Sequence, residues 1–464
     1  MVTHQAFRFE LDPNNSAASK LSSHCGAARF AYNTMLAYVS WALDARGFEK
    51  RTTGVATTQV PWNLYALRKV WNNEVKSWAA PWWGESSKEA YNSGLDALAR
   101  ALDGFSRSRN GQRAGKRVRF PRFKGKGARR SYRITTGAFG LVDERHVKIP
   151  RIGVLRTKEP ADKLSTKIAT GDARILSATI SAQAGRWFVS FGCEVDRHDP
   201  AALLPEAVVG VDLGVHHLAC ISTGEFVENP KALDRYRRRM ARLQRELSRR
   251  HKGSKRRSRT KAALTRCHAR VVNVRCDAIH KVTSALAATY GTVVIEDLNV
   301  AGVTAAPKPL GVKMGSFAHN GAAAKAGLNR VVLDASPGQF RRQLVYKIDW
   351  HAARLIVADR FFASSKMCSG CGSVKAKLSL ATRMYRCEIC GVEIDRDLNA
   401  ALNLAAYGRL VAVSGTETLT ARGGGHPRSR PKPPVKREDG TGQPGRTVTA
   451  TGQSVASKLL SEVA

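Results

Sequence analysis

The order of apolar and polar side chains divides the chain into two differently built halves. Residues 4–11 alternate apolar and polar positions, and that period of two predicts a strand. From residue 22 to about 45, Phe30, Met35, Val39 and Leu43 recur at helical spacing. A second helix is predicted to begin near Pro61, a favoured first-turn residue, and to carry Trp62, Leu67, Val70 and Trp71. A third is predicted from Ser86-Ser-Lys-Glu89, a capping-box pattern, towards Phe105. Strand patterns follow at 146–149, 175–181 and 187–191, the last two separated by a turn at Ala184-Gly185. Residues 135–197 together with 4–11 therefore read as a small antiparallel, barrel-like domain into which a helical lobe is inserted.

The second half opens with Val208-Val-Gly-Val211, a buried strand that ends in Asp212-Leu-Gly214. Residues 218–222 form a second strand, expected to pair with it as a hairpin. A basic helix is predicted over 232–250, then a Lys/Arg-rich loop over 252–261, then a helix to about 289. Gly291-Thr-Val-Val-Ile295 is again a buried strand, ending in Glu296-Asp297. The Ala-, Gly- and Lys-rich stretch 301–335 reads as a flexible excursion. A helix with Phe340, Leu344 and Ile348 and a strand over 354–358 come next, and a helix over 398–406 closes the pattern. Residues 409–464 are rich in Pro, Gly, Thr and Arg. Such a composition buries too little apolar surface to fold, so a disordered tail is expected there.

Composition adds a partner class to this outline. In 464 residues, 43% of them hydrophobic, 76 Lys and Arg stand against 37 Asp and Glu, a net charge of +39. That excess points to a polyanion, and nucleic acid leads, because Lys and Arg that neutralise phosphates supply most non-specific affinity. An anionic membrane surface is the competing reading. The sequence has no long uncharged apolar run and its N-terminus lacks the apolar segment of a signal peptide, so a cytoplasmic protein, nucleoid-associated when on DNA and without a membrane partner, is expected. Two segments suit contact with a nucleic-acid backbone: Phe120-Pro-Arg-Phe-Lys-Gly-Lys126 and the basic stretch 235–261. Six of the eight tryptophans lie between Trp41 and Trp83; core packing is the plain reading of these, and base stacking the minority one.

Nine cysteines are present. Cys368-Ser-Gly-Cys371 and Cys387-Glu-Ile-Cys390 have the spacing of a four-thiolate zinc site, whereas Cys25, Cys193, Cys220, Cys267 and Cys276 share no spacing and read as buried thiols. Four thiolates leave zinc no open position for chemistry, so the metal there is structural. Directly after the second knuckle comes Asp395-Arg-Asp397-Leu-Asn-Ala-Ala. Asp212 and Glu296 each end a buried strand, and Asp397 opens a helix. Carboxylates gathered at one sheet edge can hold Mg²⁺ or Mn²⁺ for two-metal hydrolysis of a phosphodiester. Singly each has a plainer reading: Asp-Leu-Gly is a common turn, Glu-Asp can start a loop, and Asp395 and Asp397 can both be helix-start residues. His216-His217, in the turn after Asp212, reads as turn residues more readily than as metal ligands.

Taken together, VVGVDLG, VVIEDLN and CSGC…CEICGVEIDRDLNAALNLA resemble the three split RuvC motifs and zinc ribbon of the TnpB family, transposon-encoded RNA-guided DNA endonucleases related to type V CRISPR effectors. HCGAARFAYN, SKEAYNSGLDALARAL and FPRFKGK resemble the family's helical recognition lobe and wedge region, so the likeness covers residues 1–408. It implies a multidomain α/β plus β-barrel chain. A wedge-type β-barrel would span 1–20 and 130–205, a helical recognition lobe 21–129, a ribonuclease H-like (RuvC) nuclease core 206–365 and 391–408, and a zinc ribbon 366–390. It further implies catalytic, Mg²⁺- or Mn²⁺-binding Asp212, Glu296 and Asp397, with zinc on Cys368, Cys371, Cys387 and Cys390. Asp397 is preferred to Asp395 as the Asp of the Asp-x-Asn-Ala-Ala signature. The implied partners are a guide RNA from the transposon end and a double-stranded DNA target cut beside a short transposon-adjacent motif. The alternatives are a type V CRISPR effector of the same fold, a cleavage-inactive RNA-guided repressor, and a transposase that joins strands directly.

Overall fold

The structure, a computed structural model, describes residues 2–308, 310–313, 316–318, 320–379 and 381–414. They fall into two compact units, the first ending at Arg197 and the second beginning at His198.

In the first unit, strand β1 (Val2–Leu11) leads into the long helix α1 (Asn15–Thr52). Asn14 caps α1 by accepting the Ala17 N–H at 2.9 Å. The helix extends beyond the 22–45 stretch because its polar flanks contain no proline to stop it. A buried stripe of Leu21, Ala28, Tyr32, Met35 and Val39 turns it towards the core. α2 (Leu64–Val70), capped by Asn63, runs through a π turn (Trp71–Val75) into α3 (Lys76–Ala79). A short turn then leads to α4 (Lys88–Arg109). The predicted capping box does not form. Ser87 caps α4, and the Glu89 carboxylate turns away to accept the Thr135 N–H and hydroxyl, both at 2.8 Å. Trp71 is buried and stacks on Tyr91, yet Trp41, Trp78, Trp82 and Trp83 stay exposed, so core packing explains only part of the tryptophan cluster.

The strands of this unit are β2 (Ser131–Ile134), β3 (Gly140–Leu141), β4 (His146–Ile149), β5 (Gly153–Arg156), β6 (Ala173–Gln183) and β7 (Arg186–Asp196), with α5 (Asp162–Ala169) between β5 and β6. They make a four-stranded antiparallel sheet in the order β1-β7-β6-β2 and a three-stranded meander β3-β4-β5. A bridge between Leu11 and Thr157 joins the two. Val147, Ile149 and Leu155 of the meander share one core with Tyr132, Ile180, Val189 and Phe191 of the larger sheet. The stretch read as a small antiparallel, barrel-like domain is thus two antiparallel sheets around a common core.

The second unit is built on a five-stranded mixed sheet. β8 (Leu204–Asp212), β9 (His217–Ile221) and β10 (Phe226–Glu228) form an antiparallel run. α6 (Ala232–Arg249) and α7 (Lys255–Thr289) then form a hairpin closed by Met240, Leu243, Cys267 and Val271. The Lys/Arg stretch predicted as a loop belongs mostly to α7, which Ser254 starts by accepting the Arg257 N–H. Lys and Arg are good helix formers, and only residues 250–254 make the turn. β11 (Tyr290–Glu296) lies parallel to β8. α8 (Val300–Val303), the hairpin strands β12 (Leu310–Lys313) and β13 (Ser316–Ala318), and α9 (Ala322–Ala335) occupy the stretch expected to be flexible. Alanine is the strongest helix former, and buried Asp334 ties α9 to Arg275 of α7 and to the Leu233 N–H of α6. α10 (Pro337–Trp350) and β14 (Arg354–Ala358) follow, β14 being parallel to β11, which gives the sheet order β10-β9-β8-β11-β14. After the hairpin strands β15 (Met384–Arg386) and β16 (Glu393–Asp395), helix α11 (Arg396–Ser414) crosses the sheet. It includes 409–414, the first residues of the expected tail; 415–464 lie outside the described residues.

A close approach sets the packing of α4 on α1. A side chain at Gly94 of α4 would place its Cβ 2.1 Å from the Ala28 carbonyl oxygen of α1, whereas Gly104 on the same helix faces open space. Gly94→Ala should therefore cost about 1–3 kcal/mol, while Gly104→Ala should stabilise by about 0.5–1 kcal/mol. Calorimetry on the nucleic-acid-free protein checks the opposite signs. In the second unit, buried Lys347 donates to the His280 carbonyl and the Thr283 and Ser284 hydroxyls at 2.7, 2.8 and 2.8 Å. Burial pulls its ammonium down to about 8. Above that pH the native chain has lost a proton that the unfolded chain keeps until about pH 10.4. The unfolded state then binds more protons, so stability rises with pH across this window. Wild-type melting temperature should climb from pH 8 to 10 relative to Lys347→Met; parallel curves would refute this.

Candidate functional site

Asp212 is the last residue of β8, and Ile295 of β11 pairs in register with Val211. Glu296 therefore stands beside Asp212 at the carboxyl ends of neighbouring parallel strands. The third group arrives through helix packing. A Cβ on Gly210 would lie 2.0 Å from the Ala401 carbonyl oxygen and 2.5 Å from the Ala405 nitrogen. One on Gly408 would lie 2.9 Å from Val208 Cγ1 and 2.4 Å from Val294 Cγ2. Residues 208, 210 and 212 share one face of β8, and α11 runs antiparallel along it. Four helical residues rise about 6 Å and two strand residues about 6.6 Å. One turn back from Ala401, Asp397 therefore comes level with Asp212. The Asp397 Oδ2 also lies 3.9 Å from where a Gly214 Cβ would be, so the glycine of Asp-Leu-Gly leaves room for it.

The two neighbouring acids have other tasks. Asp395 caps α11, its Oδ1 accepting the N–H groups of Asp397 and Leu398 at 2.8 and 3.1 Å. Asp297 is held by Arg341 and Arg360 at 2.7 and 2.6 Å, which keep its carboxyl below its usual range. Of the Asp395/Asp397 and Glu296/Asp297 pairs, the structure thus leaves Asp397 and Glu296 to face Asp212. Burial, reinforced by the charges of Glu296 and Asp397, pushes the Asp212 carboxyl up to about 8, although Arg396 acts in the opposite direction. Arg396 donates to Asp397 Oδ1 at 3.0 Å and does not neutralise the group. A corner with this surplus of negative oxygen donors fits a hard divalent cation such as Mg²⁺ or Mn²⁺.

The zinc knuckles are drawn together as the spacing predicts. Sγ atoms of Cys368 and Cys390, and of Cys371 and Cys387, are 3.6 Å apart, and all four lie within 4.8 Å of one another. Tetrahedral zinc with bonds of about 2.3 Å requires sulfur separations of about 3.8 Å, so the quartet fits the ion. Backbone N–H groups of Cys390 and Ile389 and the Ser373 hydroxyl pull the Cys387 thiol down to about 5. Each knuckle closes on a glycine with positive φ, Gly372 at 77° and Gly391 at 70°. The Cys-x-x-Cys-Gly repeat was visible in the sequence, but the part played by its glycines was not read from it.

Sequence reasoning also missed the stitching of the ribbon to the carboxylates. Buried Asn399 accepts the Ser369 N–H at 2.9 Å and donates to the Met367 carbonyl at 2.7 Å. One turn on, Asn403 donates to the carbonyls of Ser364 and Met367 at 2.8 and 2.7 Å. The Ser364 hydroxyl in turn donates to Glu296 Oε1. The Asn-x-x-x-Asn spacing on α11 was the available signal. His216 and His217 pack against each other, and His217 against Phe226; among the described residues, the closely grouped metal ligands are the four cysteines.

Each unit also carries a dense cationic surface. In the first, a groove of about 690 Å³ is lined by Arg29, Arg100, Lys124, Arg129, Arg130 and Arg133 over small residues of α1, α4 and the sheet. Asn33 brackets the Lys124 backbone, accepting its N–H at 2.8 Å and donating to its carbonyl at 3.1 Å, so the Phe-Lys-Gly-Lys loop is pinned to α1. In the second, the α6–α7 hairpin exposes arginines along α6, from Arg235 to Arg249, and at the start of α7. Because the ribbon positions Asp397 through these contacts, Cys368→Ser should lower bound zinc from about one per chain to a small fraction and lower the melting temperature. Asp397→Asn should leave zinc unchanged; metal analysis beside calorimetry separates the two.

Three family models match: "Probable transposase" (OrfB of IS605) over residues 190–306, "Cas12f1-like, TNB domain" over 338–404, and "Helix-turn-helix domain" over 1–47, where the structure has β1 and a single helix, α1. The chain is 36% identical over 458 residues, covering 95% of both chains, to "Putative RNA-guided DNA endonuclease Rv2885c" of Mycobacterium tuberculosis. It is 30% identical to "Putative RNA-guided DNA endonuclease InsQ" of Escherichia coli K12, over 90% of this chain and 96% of that one. A solved Cas12f1–sgRNA–target DNA complex overlays with a TM-score of 0.46 and 12% identity, covering 87% of this chain and 99% of that one. No helix among the described residues is long and apolar enough to cross a membrane. On the near full-length match to these relatives, the chain belongs to the TnpB (OrfB of IS605) family of proteins named as RNA-guided DNA endonucleases.

Proposed function

We propose that this chain is a transposon-encoded, RNA-guided, divalent-metal-dependent DNA endonuclease that cleaves beside a short transposon-adjacent motif. The observation that carries the reading is the meeting of Asp212, Glu296 and Asp397 from β8, β11 and α11, in a corner where Asp212 resists ionisation. In this reading residues 206–365 and 391–408 are a ribonuclease H-like, RuvC-type core, and 366–390 are its zinc ribbon. Residues 21–129 are the recognition lobe, and 1–20 with 130–205 are the wedge. The names of the relatives support guide RNA and target DNA as partners, and the charge of +39 supports backbone-led binding of both.

Asp212, Glu296 and Asp397 would hold Mg²⁺ or Mn²⁺, which supplies an activated water and stabilises charge on the attacking and leaving oxygens. Glu296 is oriented for this by Ser364, and Asp397 by its place on the first turn of a helix fixed to the sheet. Burial, reinforced by the charges of Glu296 and Asp397, raises the Asp212 pKa, and a divalent cation held by the three carboxylates would favour its ionised form. The α6–α7 hairpin and the groove of the first unit offer cations to sugar–phosphate backbones and leave sequence reading to base pairing.

The test is cleavage of a target plasmid library by the protein with its co-purified RNA. Wild type should cut only with Mg²⁺ or Mn²⁺. Asp212→Ala, Glu296→Gln and Asp397→Asn should each lower the rate at least about a hundredfold and leave RNA binding unchanged. The RNA should be guide-like, with a variable 3′ end. Joined strand-transfer products would favour the transposase reading instead. Absence of metal-dependent cutting by wild type would overturn the proposal.

A further inference from the structure

Phe361 is the most exposed large hydrophobic side chain among the described residues, with 89% of it open to solvent. It sits three residues beyond Ala358, the register partner of Glu296 across β11 and β14. Its Cα therefore lies within about 11 Å of that partner. An exposed phenylalanine in a loose loop would mean little, but every neighbour of Phe361 is tied down. Its own N–H donates to Asp359 Oδ1 at 2.8 Å, and the Phe362 N–H donates to the Asp359 carbonyl at 3.0 Å. On one side Arg360 is bound to Asp297 at 2.6 Å. On the other the Phe362 ring packs on Tyr407 of α11 at 4.8 Å, and Ser364 holds Glu296. The turn is thus fastened to Glu296 and Asp297 at the end of β11, and the Phe361 ring is the large apolar group it leaves open to solvent.

The surroundings identify the kind of ligand. Asp297 carries one negative charge, and Arg341 and Arg360 bring two positive ones, each about half exposed. An aromatic face next to surplus cations, on a backbone that needs no further ordering, matches an unpaired nucleotide: the ring takes the base and the rim takes the phosphate. We propose that Phe361 is a substrate-positioning residue that stacks on an unpaired base of the DNA strand being cut and holds the adjoining phosphodiester at the carboxylate corner. This rests on the nuclease reading above. Any base fits, because every base offers a π face, so Phe361 aligns the strand without reading its sequence.

Two readouts test it. In single-turnover cleavage, Phe361→Ala should be slower by about tenfold, the effect of losing one base–aromatic stack. Phe361→Trp should restore the rate, and binding of RNA and of target should be unchanged. An abasic nucleotide scanned along the cut strand should slow wild type by a similar factor at one position and add little to Phe361→Ala there, because both remove the same contact. In parallel, 2-aminopurine scanned along the unpaired strand should be quenched at that position in Asp212→Ala complexes and brighten when Phe361→Ala is added. Unchanged cleavage by Phe361→Ala, or independent, multiplying effects of the variant and the abasic site, would overturn the inference. So would a change in oligomeric state or target affinity in place of rate, which would mark Phe361 as a protein contact. If wild type fails to cut, the nuclease reading falls, while the fluorescence arm still decides whether Phe361 stacks.

Discussion

The site depends on one steric constraint: the backbone of α11 touches the backbone of β8 at Gly210. With no side chain at that position, Ala401 and Ala405 approach to distances that any Cβ would forbid. Because a helix and a strand advance by nearly equal amounts over four and two residues, contact at Gly210 brings Asp397 level with Asp212. Register with β11 adds Glu296. Three carboxylates separated by up to 185 positions are thus brought together by close packing of backbone and alanine. Close packing tolerates little displacement, which suits the proposed sharing of a cation by the three groups.

The zinc ribbon serves the same geometry from the other side. Its knuckles are rigid because the sulfur quartet and two left-handed glycines fix their turns. Asn399 and Asn403 transmit that rigidity to α11, and Ser364 carries it on to Glu296. Each of these amides is buried and bonded, so displacing the ribbon would strand polar groups away from water, at a cost of about 1–3 kcal/mol each. The ribbon and the carboxylate corner are therefore one mechanical object, which explains why the four-cysteine cluster stands directly before Asp397.

Electrostatics divides the unit into contrasting zones. Burial raises the Asp212 carboxyl, and the corner's negative charge, more than Arg396 offsets, raises it further. A few residues away, Asp297 is over-neutralised by Arg341 and Arg360 and presents a positive rim. Acidic centre and cationic margin are complementary to a cation and a phosphate chain respectively. Asp395 and Asp397 show the same economy at shorter range: adjacent in pattern, one saturates helix N–H groups while the other is left to the site.

Much of this was legible in the sequence because it rests on local rules. Period-two alternation located β1, continuous apolar runs located β8 and β11, helical spacing located α1 and α10, and paired Cys-x-x-Cys motifs located the sulfur quartet. The errors were also local and have physical causes. Basic residues around 255–261 and alanines around 322–335 were read as loop, although Lys, Arg and Ala are strong helix formers. A capping box was expected where Glu89 instead serves Thr135. What the sequence by itself determined was which residue types can bind metal and which segments can be strand or helix, since these follow from side-chain chemistry and neighbouring positions. What occupies Asp395 and Asp297 away from the site, how the asparagines tie the ribbon to α11, and that Phe361 is left exposed on a fastened turn were decided only by the tertiary structure. Those outcomes depend on contacts between residues distant in sequence, above all on how closely α11 can approach the strand at Gly210.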